Sequence, residues 1–224
     1  MSTVHLLDSE LDDTEKPLSY AIDTAPNVLA NIYQCEHNIA LWQRKLDQSL
    51  VDNIETMLRN TSTLALVQTV TPDNAAQWIE NRLSEHPCAK PLGEDIALVV
   101  DMFCCLFDLE EVGLRLTKLD KPMCPKFHVD HVPCRLVTTY VGTATEWLAN
   151  QDVNRDKLGS GSAGLTDSES GLYSSAEVIK KVTPGDIALL KGSGWEGNEA
   201  KGIVHRSPAM NNDQPRLLLT LDMI

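Results

Sequence analysis

The chain has 224 residues, of which 42% are hydrophobic and 23% charged, enough for one ordinary core with helical decoration and too few for two comfortable ones. Its formal net charge of −13 repels a phosphate backbone and no Lys/Arg-rich run offsets it, so nucleic acid is not an expected partner. No stretch approaches the roughly 20 apolar residues that cross a bilayer, and the N-terminus has neither the basic start nor the apolar run of an export signal, so the expectation is a cytoplasmic protein with no membrane partner. Six cysteines without CxxC spacing read as reduced thiols rather than a disulfide framework.

Residues 1-16 are acidic and lack periodic apolar positions, which predicts a flexible acidic tail. Residues 17-110 read as a helical N-terminal layer. Between Glu36 and Asn60, Ile39, Leu41, Trp42, Leu46, Leu50, Ile54, Met57 and Leu58 recur at three- and four-residue steps, predicting an amphipathic helix or helix pair. A second helix opens at Thr71-Pro72-Asp73 and runs to about Glu85; a third runs from about Gly93 to Asp108. The adjacent Cys104 and Cys105 fall in that apolar helix, where packing is the expected role.

After Glu111 the period changes to two, with Val112, Leu114, Leu116 and Leu119 in a strand-like run. Short β-favouring segments follow, CPKFHVDHV, CRLVTTYVG, AEVIKKV, GDIALLKG, GIVHRS and RLLLTLDMI, separated by Pro, Gly, Asp and Asn turns. That punctuation predicts a jelly roll or β-barrel over residues 111-224 packed against the N-terminal helices, an α+β fold. The Gly/Ser-rich stretch 151-175 is expected to be an unpacked insertion or a lid over a site.

Alternate residues of a strand share a face, so His128 and Asp130 in FHVDHV can present an imidazole and a carboxylate side by side. His205 is the only histidine after His131 and is the candidate third ligand, giving two His and one carboxylate with open coordination positions. His131 faces the other way in a regular strand, although a bulge would bring it in as a ligand. Ten residues separate His205 from Arg216, which opens the final strand, where its planar fork can grip a carboxylate.

HxD, a distant His and, ten residues on, Arg: this order over residues 110-224 resembles the Fe(II)/2-oxoglutarate-dependent dioxygenase superfamily, whose core is a double-stranded β-helix (jelly roll, cupin-like). CPKFHVDHVPCRLVTTYVGTATEWL and GDIALLKGSGWEG look closer still to a bacterial family catalogued as domain of unknown function 1826. The resemblance implies Fe(II) held by His128, Asp130 and His205, and 2-oxoglutarate bound at Arg216 with help from Tyr140 or Thr138. It also implies use of dioxygen to hydroxylate or demethylate an unknown substrate as 2-oxoglutarate is decarboxylated to succinate. Lys191 and Trp195 stand near the motif as further candidates, Trp195 within the glycine-rich run GSGWEGNEAKG. The alternative is a non-catalytic cupin-like protein of zinc or iron homeostasis, to which Cys124 and Cys134 could add softer ligands; a silent interaction module is the third reading.

Overall fold

The computed structural model describes residues 19–210 and 214–224; the expected acidic tail at 1-16 lies outside the described residues. The fold is mixed, with a large sheet, a small sheet and three α-helices. The strands are β1 (Ser19–Asp23), β2 (His37–Trp42), β3 (Ala65–Val70), β4 (Val112–Leu119), β5 (Cys134–Val141), β6 (Glu146–Leu148), β7 (Ile179–Lys181), β8 (Ile187–Lys191), β9 (Val204–Arg206) and β10 (Arg216–Asp222). Seven of them form one sheet in the order β1-β2-β8-β5-β10-β4-β3, and three form a second in the order β7-β6-β9.

The helices are α1 (Gln48–Asn60), α2 (Pro72–Arg82) and α3 (Ala89–Phe107). Their ends are written locally. The Asp47 carboxylate accepts the Ser49 N–H at 2.8 Å at the start of α1, the Asn74 side chain accepts the Thr71 N–H at 3.0 Å ahead of α2, and Asp108 closes α3 in the left-handed region at φ 54°. None of the helices is long and apolar enough to cross a membrane, among the described residues.

Strand alternation sorts the core into layers. Leu114, Leu116, Leu136, Leu189, Leu217, Leu219 and Leu221 turn to one face of the large sheet and pack on Ile54, Met57, Leu92, Val99 and Phe103 of the helices. Ile39, Leu41, Val137, Ala188, Leu190 and Leu218 turn to the other face and meet Trp147, Ala149 and Ile203 from the small sheet and its flanks. Burying side chains of this size contributes about 1.5–3 kcal/mol each, and the two faces together lock the register of every strand.

Two expectations need correction. Residues 37–42 are a strand and not the start of a helix: Ile39 and Leu41 share a face, and β2 pairs antiparallel with β8 from Ile39↔Leu190 to Trp42↔Ile187. Only the second half of the predicted segment is helical, because the run HNIALW satisfies period two locally and tertiary pairing decides. The N-terminal region is therefore not only a helical layer, since β1, β2 and β3 supply both edges of the large sheet.

The 151-175 stretch is also packed. It folds into short 3-10 turns and places Val153, Leu158, Leu172 and Tyr173 against Phe127, Leu148 and Val204 on the outer face of the small sheet. It braces that sheet from outside. The six thiols are unbridged; Cys88, Cys104 and Cys134 are buried, while Cys35, Cys105 and Cys124 are exposed.

Candidate metal centre

The segment carrying HxD joins the small sheet through an isolated ladder rung. His128 and His205 exchange both backbone hydrogen bonds at 3.0 Å as an antiparallel bridge, so their side chains lie on one face with ring centroids 4.6 Å apart. His205 is in turn opposite Trp147, a residue of the layer between the sheets, so both rings point into that interior. Asp130, two residues on, completes the group: its Oδ1 lies 3.5 Å from His128 Nε2 and its Oδ2 3.5 Å from His205 Nε2. One ligand atom from each of the three falls within 4.8 Å of the others, the spacing a single metal ion spans.

Both imidazoles are held for ligation. His128 Nδ1 lies 3.0 Å from the Lys126 carbonyl and His205 Nδ1 lies 3.2 Å from the Ile203 carbonyl. A carbonyl oxygen only accepts, so each Nδ1 carries a proton, which leaves each Nε2 as the nitrogen that would ligate a metal. The donor set, two imidazoles and one carboxylate, fits a borderline or hard divalent ion with positions left for other ligands.

Electrostatics support the same reading. Burial pushes the Asp130 carboxyl up, but the hydrogen bond with His128 and the two imidazoles and Arg135 around it outweigh that and hold the group at about 2. Burial lowers His205 to about 4, keeping it neutral, whereas the hydrogen bond to Asp130 raises His128. The sequence reading missed Arg135. Its Nη1 donates to Asp130 Oδ2 at 2.8 Å, and its Nε and Nη2 reach the Asp222 carboxylate at 2.7 and 3.0 Å. Its signal was present in the chain, since Arg135 shares the inward parity of Val137 on β5.

Arg216 is the second feature of this interior. It is 1% exposed, and its Nε and Nη2 donate to Thr139 Oγ1 at 3.2 and 3.1 Å and its Nη2 to Thr145 Oγ1 at 3.0 Å. Among the described residues no carboxylate pairs with it, and burial lowers its pKa to about 10. Gly142, at φ 88°, allows the turn after β5 to close on Arg216: a Cβ there would meet Arg216 Cα at 2.9 Å.

Other sequence candidates are placed elsewhere. Thr138 and Tyr140 lie on the helix-facing side of β5; Tyr140 donates to Asp95 at 2.7 Å beside Arg44, so neither reaches Arg216, and the adjacent Thr139 takes that position. The difference is one residue of strand parity. Lys191 also turns to the helix side, donating to the Gln34 carbonyl at 3.0 Å with its ammonium 4.6 Å from the Trp195 ring. Trp195 packs with Tyr33 and Phe107, away from the histidines. His131 is exposed, its Nδ1 2.9 Å from Ser193 Oγ, and it stands outside the ligand cluster. Cys134 is buried on the helix side and Cys124 is exposed; neither joins the cluster.

The glycine-rich run before His205 has a packing role. A Cβ on Gly192 would collide with the Val132 carbonyl, one on Gly194 would meet the His131 carbonyl at 2.6 Å, and one on Gly202 would collide with the Val129 side chain. Residues 192–202 thus lie directly against the backbone that carries Asp130.

Fold and site together define a mixed two-sheet protein with a His/Asp/His cluster that could hold a metal ion and a buried arginine between its layers. The chain belongs to the family described as protein of unknown function (DUF1826), whose model matches residues 23–222. No curated protein matches it by sequence. Solved structures similar to it include a prolyl-4-hydroxylase of Pseudomonas putida (12% identity, 87% of this chain and 96% of that one, TM-score 0.43). HygX from Streptomyces hygroscopicus, with iron bound, is similar at 10% identity over 88% and 85% of the chains (TM-score 0.46), and a rice dioxygenase for auxin oxidation at 11% over 84% and 73% (TM-score 0.43). None of these likenesses specifies a reaction for this chain.

Proposed function

We propose that this chain is an Fe(II)- and 2-oxoglutarate-dependent oxygenase, a hydroxylase or demethylase, and that its two sheets are a double-stranded β-helix. The observation that carries the reading is Arg216: a buried cation with only hydroxyl partners, in the same interior as the ligand cluster. An uncompensated buried charge costs several kcal/mol, and a dicarboxylate that binds the metal at one end and Arg216 at the other removes that cost.

The iron and its cosubstrate, when bound, supply the oxidation of a substrate C–H bond by dioxygen. The chain's own part is geometric. His128 Nε2, His205 Nε2 and one Asp130 oxygen would hold the ion, and Arg135 holds the carboxylate by donating to its Oδ2. Arg216, oriented by Thr139 and Thr145, would bind the far carboxylate of 2-oxoglutarate. Trp147, Ala149, Val137 and Leu218 line the interior with apolar surface and keep water out.

The test is optical. Anaerobic protein with Fe(II) and 2-oxoglutarate is expected to show the metal-to-ligand charge-transfer band, absent in His128→Ala and weakened in Arg216→Met. No band in folded, metal-loaded wild type sinks the oxygenase reading and leaves a metal-holding protein, with zinc the next ion to measure.

A further inference from the structure

A small cleft opens on the inward face of the large sheet beside the metal cluster. It is lined by Arg115 and Thr117 of β4, Leu218 and Thr220 of β10, Arg135 of β5, and Met123, and its volume is about 30 Å³. Ladder register places these residues together: β10 pairs Thr220 with Arg115 and Leu218 with Thr117, while Arg135, opposite Asp222, reaches Asp130. Arg135 is neutralised on two sides by Asp130 and Asp222. Arg115 is exposed, and among the described residues its side chain forms no ion pair or hydrogen bond. Next to it, the buried Thr117 Oγ1 has no hydrogen-bond partner. The cleft thus offers, among the described residues, an unpaired guanidinium beside a buried and unsatisfied hydroxyl, in a chain whose net charge is −13.

Charge counting points the same way. In the reading proposed above, the divalent ion and Arg216 are met by Asp130 and the two carboxylates of 2-oxoglutarate, and Arg135 by Asp222. Arg115 is left over. We infer that this cleft receives a carboxylate headgroup of the oxygenase's substrate, with the substrate's apolar portion lying over Met123 toward the metal. This rests on the oxygenase reading for the word substrate, but not for the binding event. The cleft is small, about 30 Å³, and so takes a headgroup rather than a ring.

The probes are hexanoate, hexanamide and hexylamine, titrated calorimetrically into the full chain with and without zinc, alongside 2-oxoglutarate with zinc. Hexanoate is expected to bind at least about tenfold more tightly than the amide, and the amine not at all. Arg115→Gln, a surface change, is expected to abolish the preference while leaving 2-oxoglutarate affinity unchanged; Thr117→Val is expected to weaken hexanoate about threefold or more. Equal binding of acid and amide, no binding of the acid, or an acid preference that survives Arg115→Gln overturns the inference. Acid binding without an iron charge-transfer band leaves the carboxylate site standing and removes the oxygenase reading alone.

Discussion

Replacing Arg216 by methionine removes a buried charge while keeping most of the side chain's volume, and the cost of that charge can be placed from the structure. Burial takes the guanidinium from 12.5 to about 10, a penalty on the charged form of about 3 kcal/mol. Against it stand the hydrogen bonds to Thr139 and Thr145, whose loss strands two hydroxyls at about 1–3 kcal/mol. The two nearly cancel, so ligand-free Arg216→Met is expected to unfold in urea within about 1 kcal/mol of wild type. Breaking a compensated buried ion pair would instead cost about 3–5 kcal/mol. With zinc bound, 2-oxoglutarate is expected to raise wild-type stability by about 2.7 kcal/mol at a hundred times its dissociation constant, and to raise the variant's much less at the same concentration. A loss of 3–5 kcal/mol in the ligand-free variant would mean that the charge is already neutralised within the chain, and would refute the argument that it awaits an anion.

Acid should weaken the metal-free protein through His205 first. Its folded pKa, about 4 against 6.5, means that the unfolded chain takes up the proton earlier as pH falls, so stability present above pH 6.5 is lost down to about pH 4. The size is about 3 kcal/mol; His128, raised by Asp130, works in the opposite direction. Urea midpoints of His205→Asn should lack the His205 loss, and an unchanged acid slope would show that His205 is not held neutral. Arg135→Gln should cost about 10- to 100-fold in zinc affinity by freeing the Asp130 carboxylate, with partial recovery in Arg135→Lys; unaltered affinity would make the clamp irrelevant to the metal. Gly192→Ala should push the Asp130 turn off the 192–202 segment and lower zinc affinity more than it lowers the unfolding midpoint, whereas wild-type affinity would show that the segment gives way freely.

The site was more legible than the fold around it. His128, Asp130, His205 and Arg216 announce themselves because metal and anion chemistry restrict residue type and spacing at once. Thr139 was hidden from the same reading by parity: TTYV offers hydroxyls on both faces of β5, and the pairing with β10 slips by one residue between Leu217 and Leu218. Arg135, Thr145 and Asp222 meet their partners only through strand register, which no local pattern states. In the N-terminal half, Ile39, Leu41 and Trp42 fit a helical and a strand period equally over six residues, and pairing with β8 decides. The 151-175 stretch looked too polar to pack because its few apolar residues are spread among serines and glycines; Leu158, Leu172 and Tyr173 suffice to seat it.

The position of β10 within the large sheet has a consequence for biosynthesis. It follows every other strand of that sheet in the chain, yet it lies between β5 and β4. Until it leaves the ribosome, the large sheet is two fragments, β1-β2-β8-β5 and β4-β3, each with an unpaired inner edge. The same strand brings Arg216, and with Asp222 it anchors the arginine behind Asp130. Interrupted translation would therefore release a chain that already holds all three metal ligands but neither a closed sheet nor an anion anchor. Such a product, with two unpaired inner edges, would be open to proteolysis.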